Sequence, residues 1–218
     1  MTSSTTSDVI DQLTGIPPGH AIDTIRSRRA QARLHGQNSY LALFEPSLGI
    51  DGEFTAPERF AVAAFVSALH RQPQATAFYV EGFARNGGDA SLIDAVLSEA
   101  ATAESSGPYG RYPAGPLTAE DAPGPAYRAS EANARLLGPR LSAALAHAHL
   151  LVFHPRDASA PDLQALLDAG WSTTDIVTLS QLVAFLAYQV RVVAGLQALR
   201  DAPATAQPEV STRETVQS

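Results

Sequence analysis

The chain contains no cysteine and no lysine; its fifteen basic residues are all arginine. Without cysteine it has no disulfides, no thiolate metal ligands, and no thiol nucleophile or redox dithiol of its own. Without lysine it has neither Schiff-base chemistry nor a phosphate-binding P-loop lysine. Net positive charge is also missing. The formal charge of -7 gives no basic footprint for nucleic acid or an anionic membrane surface. Long alternating or β-branched stretches are absent, so the reading is an all-α fold. The first residues, MTSSTTSDVIDQL, lack the charged and apolar regions of a signal peptide, and the expected location is cytoplasmic. With 45% hydrophobic and 17% charged residues the chain can bury a substantial core.

Three capping-box spacings organise what is present. Thr55-Ala56-Pro57-Glu58 opens a helix that is apolar from Phe60 to Leu69 except at Ser67, and an all-round apolar helix must be enclosed by others. His70-Arg71-Gln72-Pro73 stops it, and a second helix from about Gln74 to Arg85 ends at Asn86-Gly87-Gly88. Ser159 to Asp162 starts a helix ending near Gly170. Ser172 to Asp175 starts a long one reaching about Arg200, with Ile176, Leu179, Leu182, Val183, Leu186, Val190, Val193 and Leu196 on its core side. Polar interruptions at Ser180, Gln181, Gln189 and Arg191 argue for a core or subunit interface rather than a membrane span.

The other segments are less regular. A short helix capped by Ser7, Asp8 to Leu13, is expected on the surface, followed by one helix over Ile22 to Phe44. The cluster Arg26, Arg28, Arg29 and Arg33 reads as a solvated face, as partners for acids elsewhere, or as an anion site. Leu92 to Thr102 is helical, and residues 103–126 form a glycine- and proline-rich loop, either lid or linker, with Tyr109 and Arg111 as substrate-binding candidates. Helix resumes near Ser130, is punctuated by Gly138-Pro139, and runs from Leu141 to Phe153. The division expected is an N-terminal helical arm over 1–45, a helical domain over 46–200 and a flexible tail over 201–218. His147, His149 and His154 are the densest histidine group, but their spacing does not place them on one ion, so no metal is expected.

ERFAVAAFVSALHRQPQATAFYVEGFA and LQALLDAGWSTTDIVTLSQLVAFLAYQVRVVAGL, in that order, resemble the active-site and C-terminal helix pairs of the alkylhydroperoxidase D-like branch of the carboxymuconolactone decarboxylase superfamily, in particular its peroxidase-related members. The resemblance spans roughly Phe44 to Leu199 outside the loop. It implies an alkylhydroperoxidase D-like bundle with two related helical halves, a homo-oligomer, and a pocket beside Pro73. The family's thiol peroxidases place a glutamate, two cysteines and a histidine where this chain has Phe60, Gln72, Ala75 and Tyr79. Thiol peroxidase chemistry is therefore not inherited with the scaffold.

The resemblance leaves His70 and Tyr79 as catalytic candidates and Gln72 and Arg191 as substrate-binding candidates, with no cofactor. The bland alternatives are a solvated helix end for Gln72, core packing for Tyr79, a water-facing His70 and an internal ion pair for Arg191. Two main functions stay open: an oligomeric binding or accessory protein, or a cofactor-independent acid–base enzyme acting on a small carboxylated metabolite. A third is an antioxidant role through a partner protein's thiols.

Overall fold

The Thr55 box forms as its spacing predicts. Thr55 N–H donates to Glu58 Oε2 at 2.9 Å, and Glu58 N–H returns to Thr55 Oγ1, opening α4 (Ala56–Leu69). In the computed structural model, which describes residues 8–17, 19–45, 53–106 and 109–202, α4 is the axle. It packs against α5 (Pro73–Arg85), α6 (Ala90–Thr102), α7 (Glu131–Phe153) and α9 (Thr173–Asp201), and residues 61 to 67 are all buried. The remaining helices are α1 (Val9–Thr14), α2 (Ala21–Ser27), α3 (Ala30–Phe44) and α8 (Ala160–Asp168). The fold is all-α: the described residues contain no strand, only an isolated bridge between Gly110 and Ala122.

α4 and α5 approach closely because Gly82 has no side chain. A Cβ there would lie 2.3 Å from ring carbons of Phe60. The corner joining them carries strain. Arg71 adopts φ 55° at the position after the helix cap, where Arg71 N–H bonds Ala68 O and Gln72 N–H bonds Ser67 O in a Schellman pattern. Left-handed backbone costs a non-glycine residue about 1–2 kcal/mol. Arg71 offsets this only through an exposed pair with Glu104. Arg71→Gly is expected to stabilise the protein by about 1 kcal/mol, raising Tm by about 2–4 °C, as read by thermal denaturation. A lowered midpoint would show that the Arg71 side chain contributes more than the strain costs.

Three expectations need correction. The cap of α1 is Asp8, whose carboxylate accepts from Ile10 N–H and Asp11 N–H, not Ser7. The segment does not lie on the surface: Val9, Ile10 and Leu13 join the main core against α9, α3 and α5. Ile22 to Phe44 is two helices broken at Arg28 and Arg29. The break lets Arg26 pair with Asp8 and Asp11 while Arg33 reaches Asp11 and Asp23, so half of the arginine cluster is spent on internal ion pairs. Arg28 and Arg29 remain exposed. Ser7 itself and the expected flexible tail from residue 203 on fall outside the described residues.

α7 and α9 are each long and apolar enough to cross a membrane by length and composition, with about half of each apolar window buried in the protein. α7 is interrupted at Gly138, whose φ 74° and ψ 167° are not helical, so neither of its pieces reaches the ~20 residues a span needs. In α9 the eight core positions named above are buried, except for half-buried Leu196.

Ser172 caps α9 by accepting from Asp175 N–H, but Asp175 does not close a box. Its carboxylate instead accepts Glu53 N–H and Phe54 N–H, both at 3.2 Å. Arg140, just past the α7 break, donates to Glu58 at 2.8 Å and lies 3.6 Å from Asp175. The starts of α4 and α9 are thus wired together through one guanidinium.

Candidate functional site

The residues expected to form a site at the Pro73 corner meet only in part: Gln72 Nε2 donates to His70 O at 3.5 Å and the Arg191 charge acts on His70, while Tyr79 is sealed away. Tyr79 is fully buried, walled by Phe44, Phe60 and Phe78, and its hydroxyl donates to Gln189 Oε1. Burial raises its pKa well above the ordinary phenol value. Arg191 projects from the exposed face of α9 and donates to Ala187 O of its own helix. It therefore needs no internal acid. His70 ends α4 half-buried, and burial with the nearby Arg191 charge lowers its pKa to about 4. Gln72 and Arg71 line an open groove of about 430 Å³ with Pro73, Thr76 and Leu97. That groove is not lined by His70, Tyr79 or Arg191.

Tyr109 and Arg111 hold the loop in place through their main-chain atoms. Tyr109 N–H donates to Phe153 O at 2.9 Å, Arg111 N–H donates to Asp157 Oδ1 at 3.1 Å, and Arg156 donates to Tyr109 O. The Arg156 guanidinium stacks 3.7 Å from the Tyr112 ring centroid. The loop is fastened to the C-terminal end of α7 and is not a free linker over its described residues.

A different cavity, of about 470 Å³, lies between α7, α8 and the 126–129 segment. The α7 break creates it. After Pro139 the helix restarts with Leu141, Ala144, Leu145 and Ala148 in the core, leaving Ser142, Ala146, Leu150 and His154 recurring every fourth residue toward the cavity. The far wall is Asp162, Ala165 and Leu166 of α8. Alanine at 126, 129, 134, 143, 146 and 165 leaves the space open.

The third wall is fixed by a buried anion. Glu99 on α6, 2% exposed, accepts from Tyr127 Oη at 2.8 Å, Ser130 N–H at 3.0 Å, Ser130 Oγ at 2.6 Å and Asn133 Nδ2 at 2.8 Å. Burial pushes the Glu99 carboxyl up, but the bonds from Ser130, Asn133 and Tyr127 outweigh it and leave the pKa below the ordinary value. Tyr127 in turn stacks on His149, ring centroids 5.1 Å apart.

The histidines are divided. His149 Nε2 faces Ala103 O at 3.2 Å, whereas His147 Nε2 faces Ser180 Oγ of α9 at 3.0 Å. Among the described residues no three His, Asp or Glu side chains are grouped to hold a metal ion. Burial lowers the pKa of both, with Asp162 acting weakly the other way on His147. Three buried polar atoms on cavity-lining residues have no hydrogen-bond partner: His147 Nδ1, Ser142 Oγ and His154 Nδ1, the last 3.4 Å from Asp157 Oδ2. Such orphaned atoms are few in native proteins and mark places where a water or ligand group belongs. The sequence contained one signal for this cavity, the AHAH pair inside an alanine-rich helix, but periodicity gives no measure of empty space.

Comparison with protein-family models gives no match, and comparison with curated proteins gives none either.

Proposed function

We propose that this chain is a helical small-molecule-binding protein, working without thiol chemistry on an alkylhydroperoxidase D-like scaffold, whose ligand occupies the α7–α8 cavity. The carrying observation is the pairing of a half-open, alanine-lined volume with three orphaned polar atoms, His147 Nδ1, Ser142 Oγ and His154 Nδ1. Ligand sites combine a largely apolar wall of about 300–1,000 Å³ with a few placed polar groups. The scaffold assignment rests on two helix pairs, α4–α5 and α8–α9, that begin at Thr or Ser capping boxes and turn at Pro73 and Gly170. Assembly into a homo-oligomer and a cytoplasmic setting belong to the same proposal. An acid–base enzyme built on His70, Tyr79 and Arg191 is disfavoured, because Tyr79 is sealed in the core and Arg191 faces outward.

Incubating the purified protein with a whole-metabolite extract, followed by native mass spectrometry, tests the reading. A retained compound is expected with the wild type and is expected to be lost in Ala146→Phe, which fills the cavity. Retention unchanged in a folded Ala146→Phe would move the site elsewhere.

A further inference from the structure

The class of ligand follows from the protonation of His147, and this step rests on the binding reading above. The Ser180 hydroxyl donates its single proton to Ile176 O at 2.9 Å. With the Ser180 proton assigned to Ile176 O, the hydroxyl accepts at the 3.0 Å contact and His147 Nε2 carries the proton, a tautomer assigned from the hydrogen-bond geometry. An uncharged imidazole with Nε2–H carries a bare lone pair on Nδ1. That atom is the buried one without a partner, on a side chain 5% exposed. Burial keeps the ring uncharged near neutral pH, so Nδ1 is an acceptor awaiting a donor.

The rest of the lining supplies no net charge to balance an ion. Arg128 and Asp162 are the charged residues on it, of opposite sign, and Asp162 already accepts from Ser159 N–H and Oγ. The remaining titratable groups on the wall are Tyr127, whose proton goes to Glu99, His149, which faces Ala103 O, and His154, whose Nδ1 lies 3.4 Å from Asp157 without a hydrogen bond. The α8 wall is Ala165 and Leu166 with Asp162, whose carboxylate is taken up by Ser159, so an anion entering there would meet like charge and apolar surface. A carboxylate would also set its own lone pairs against Nδ1. Ser142 Oγ, itself unpartnered, offers a second hydrogen bond about 1.4 turns before His147 on the same helix. We infer that the cavity takes an uncharged molecule whose hydroxyl or N–H donates to His147 Nδ1, with its apolar body against the alanine wall.

Four probes of one size separate the possibilities by calorimetry at pH 7.5: 2-naphthol, 2-methoxynaphthalene, 2-naphthoate and 2-(aminomethyl)naphthalene. 2-Naphthol is expected to bind at least about tenfold more tightly than the other three, since a buried acceptor left unmet costs about 1–3 kcal/mol. On binding, the His147 Nδ1 resonance in nitrogen-15 spectra is expected to shift with 2-naphthol and not with its methyl ether. In His147→Phe, 2-naphthol and the ether are expected to become equal while the ether's affinity is kept. Equal affinity of 2-naphthol and the ether in the wild type, or tighter binding of either charged probe, would overturn the inference and leave the cavity reading standing. Failure of all four probes to bind would strike the cavity reading itself and take the inference with it.

Discussion

Arg140→Ala is expected to cost the fold about 3–5 kcal/mol and to lower Tm by on the order of 10 °C, measured by urea and thermal denaturation. The guanidinium meets Glu58 at 2.8 Å and the Gly170 carbonyl, and it stacks 4.2 Å from the Trp171 ring centroid. The Trp171 indole N–H donates back to Arg140 O at 3.0 Å. Asp175, 3.6 Å away, has a side chain only 3% exposed and is already committed to Phe54 and Glu53. Truncation leaves two poorly solvated carboxylates facing each other at the joined starts of α4 and α9. Most of the loss is that uncompensated charge, not the worth of the pair. Arg140→Lys keeps the charge but not the planar fork and is expected to recover only part of the stability. A loss under about 1 kcal/mol for the alanine variant would mean that the network behaves as a solvated surface cluster.

Glu99→Ala is expected to cost about 2–4 kcal/mol and to free the 126–130 segment. Four donor contacts, from Tyr127, Ser130 and Asn133, lose their acceptor at a site 2% exposed. Because that segment is a wall of the cavity, hydrogen exchange at residues 127–130 is expected to accelerate in the variant well beyond the change in the α4 core. Protection at 127–130 that is unchanged would show that the loop is held elsewhere.

The same carboxylate gives a pH dependence of known sign. The folded Glu99 pKa lies below its ordinary 4.5, so its stabilisation is fully present above that pH and is lost as pH falls through the lower folded value. His70 moves the same way from a higher start, from 6.5 unfolded to about 4 folded, and its contribution is lost progressively between those values. His147 and His149 are lowered in the same sense. Tm is therefore expected to decline on acidification from about pH 6.5, with a further drop below pH 4.5 that Glu99→Gln removes. A flat Tm between pH 7 and 4 would contradict the buried, uncharged state of these histidines.

How much of this was legible in the sequence depends on the range of the interaction. The Thr55 box, the Ser159 box and the Ser172 cap are local, and each starts a helix where its spacing places it. The core face of α9 follows from periodicity for the same reason. Arg140 and Glu99 were invisible because their partners lie 35 to 82 residues or about 30 residues away, and no pattern in the chain pairs them. The α2–α3 break has no glycine or proline to announce it; the reach of Arg26 and Arg33 to Asp8 and Asp11 accompanies it. The burial of Tyr79 away from the other candidates has a similar origin. Tyr79 and Gln189 are 110 residues apart, and only the folded packing turns an expected acid into a sealed core hydrogen bond. The cavity arises from missing side-chain volume at alanines spread over residues 126–165, which hydrophobic patterning scores as ordinary helix.

The central claim is that the working site is the α7–α8 cavity and not the Pro73 corner, and backbone chemical-shift mapping with a whole-metabolite extract tests it directly. The account predicts perturbations at Tyr127, Ser142, His147 and Asp162, with Gln72, Thr76 and Leu97 unmoved. Perturbations confined to Gln72, Thr76 and Leu97 would contradict it.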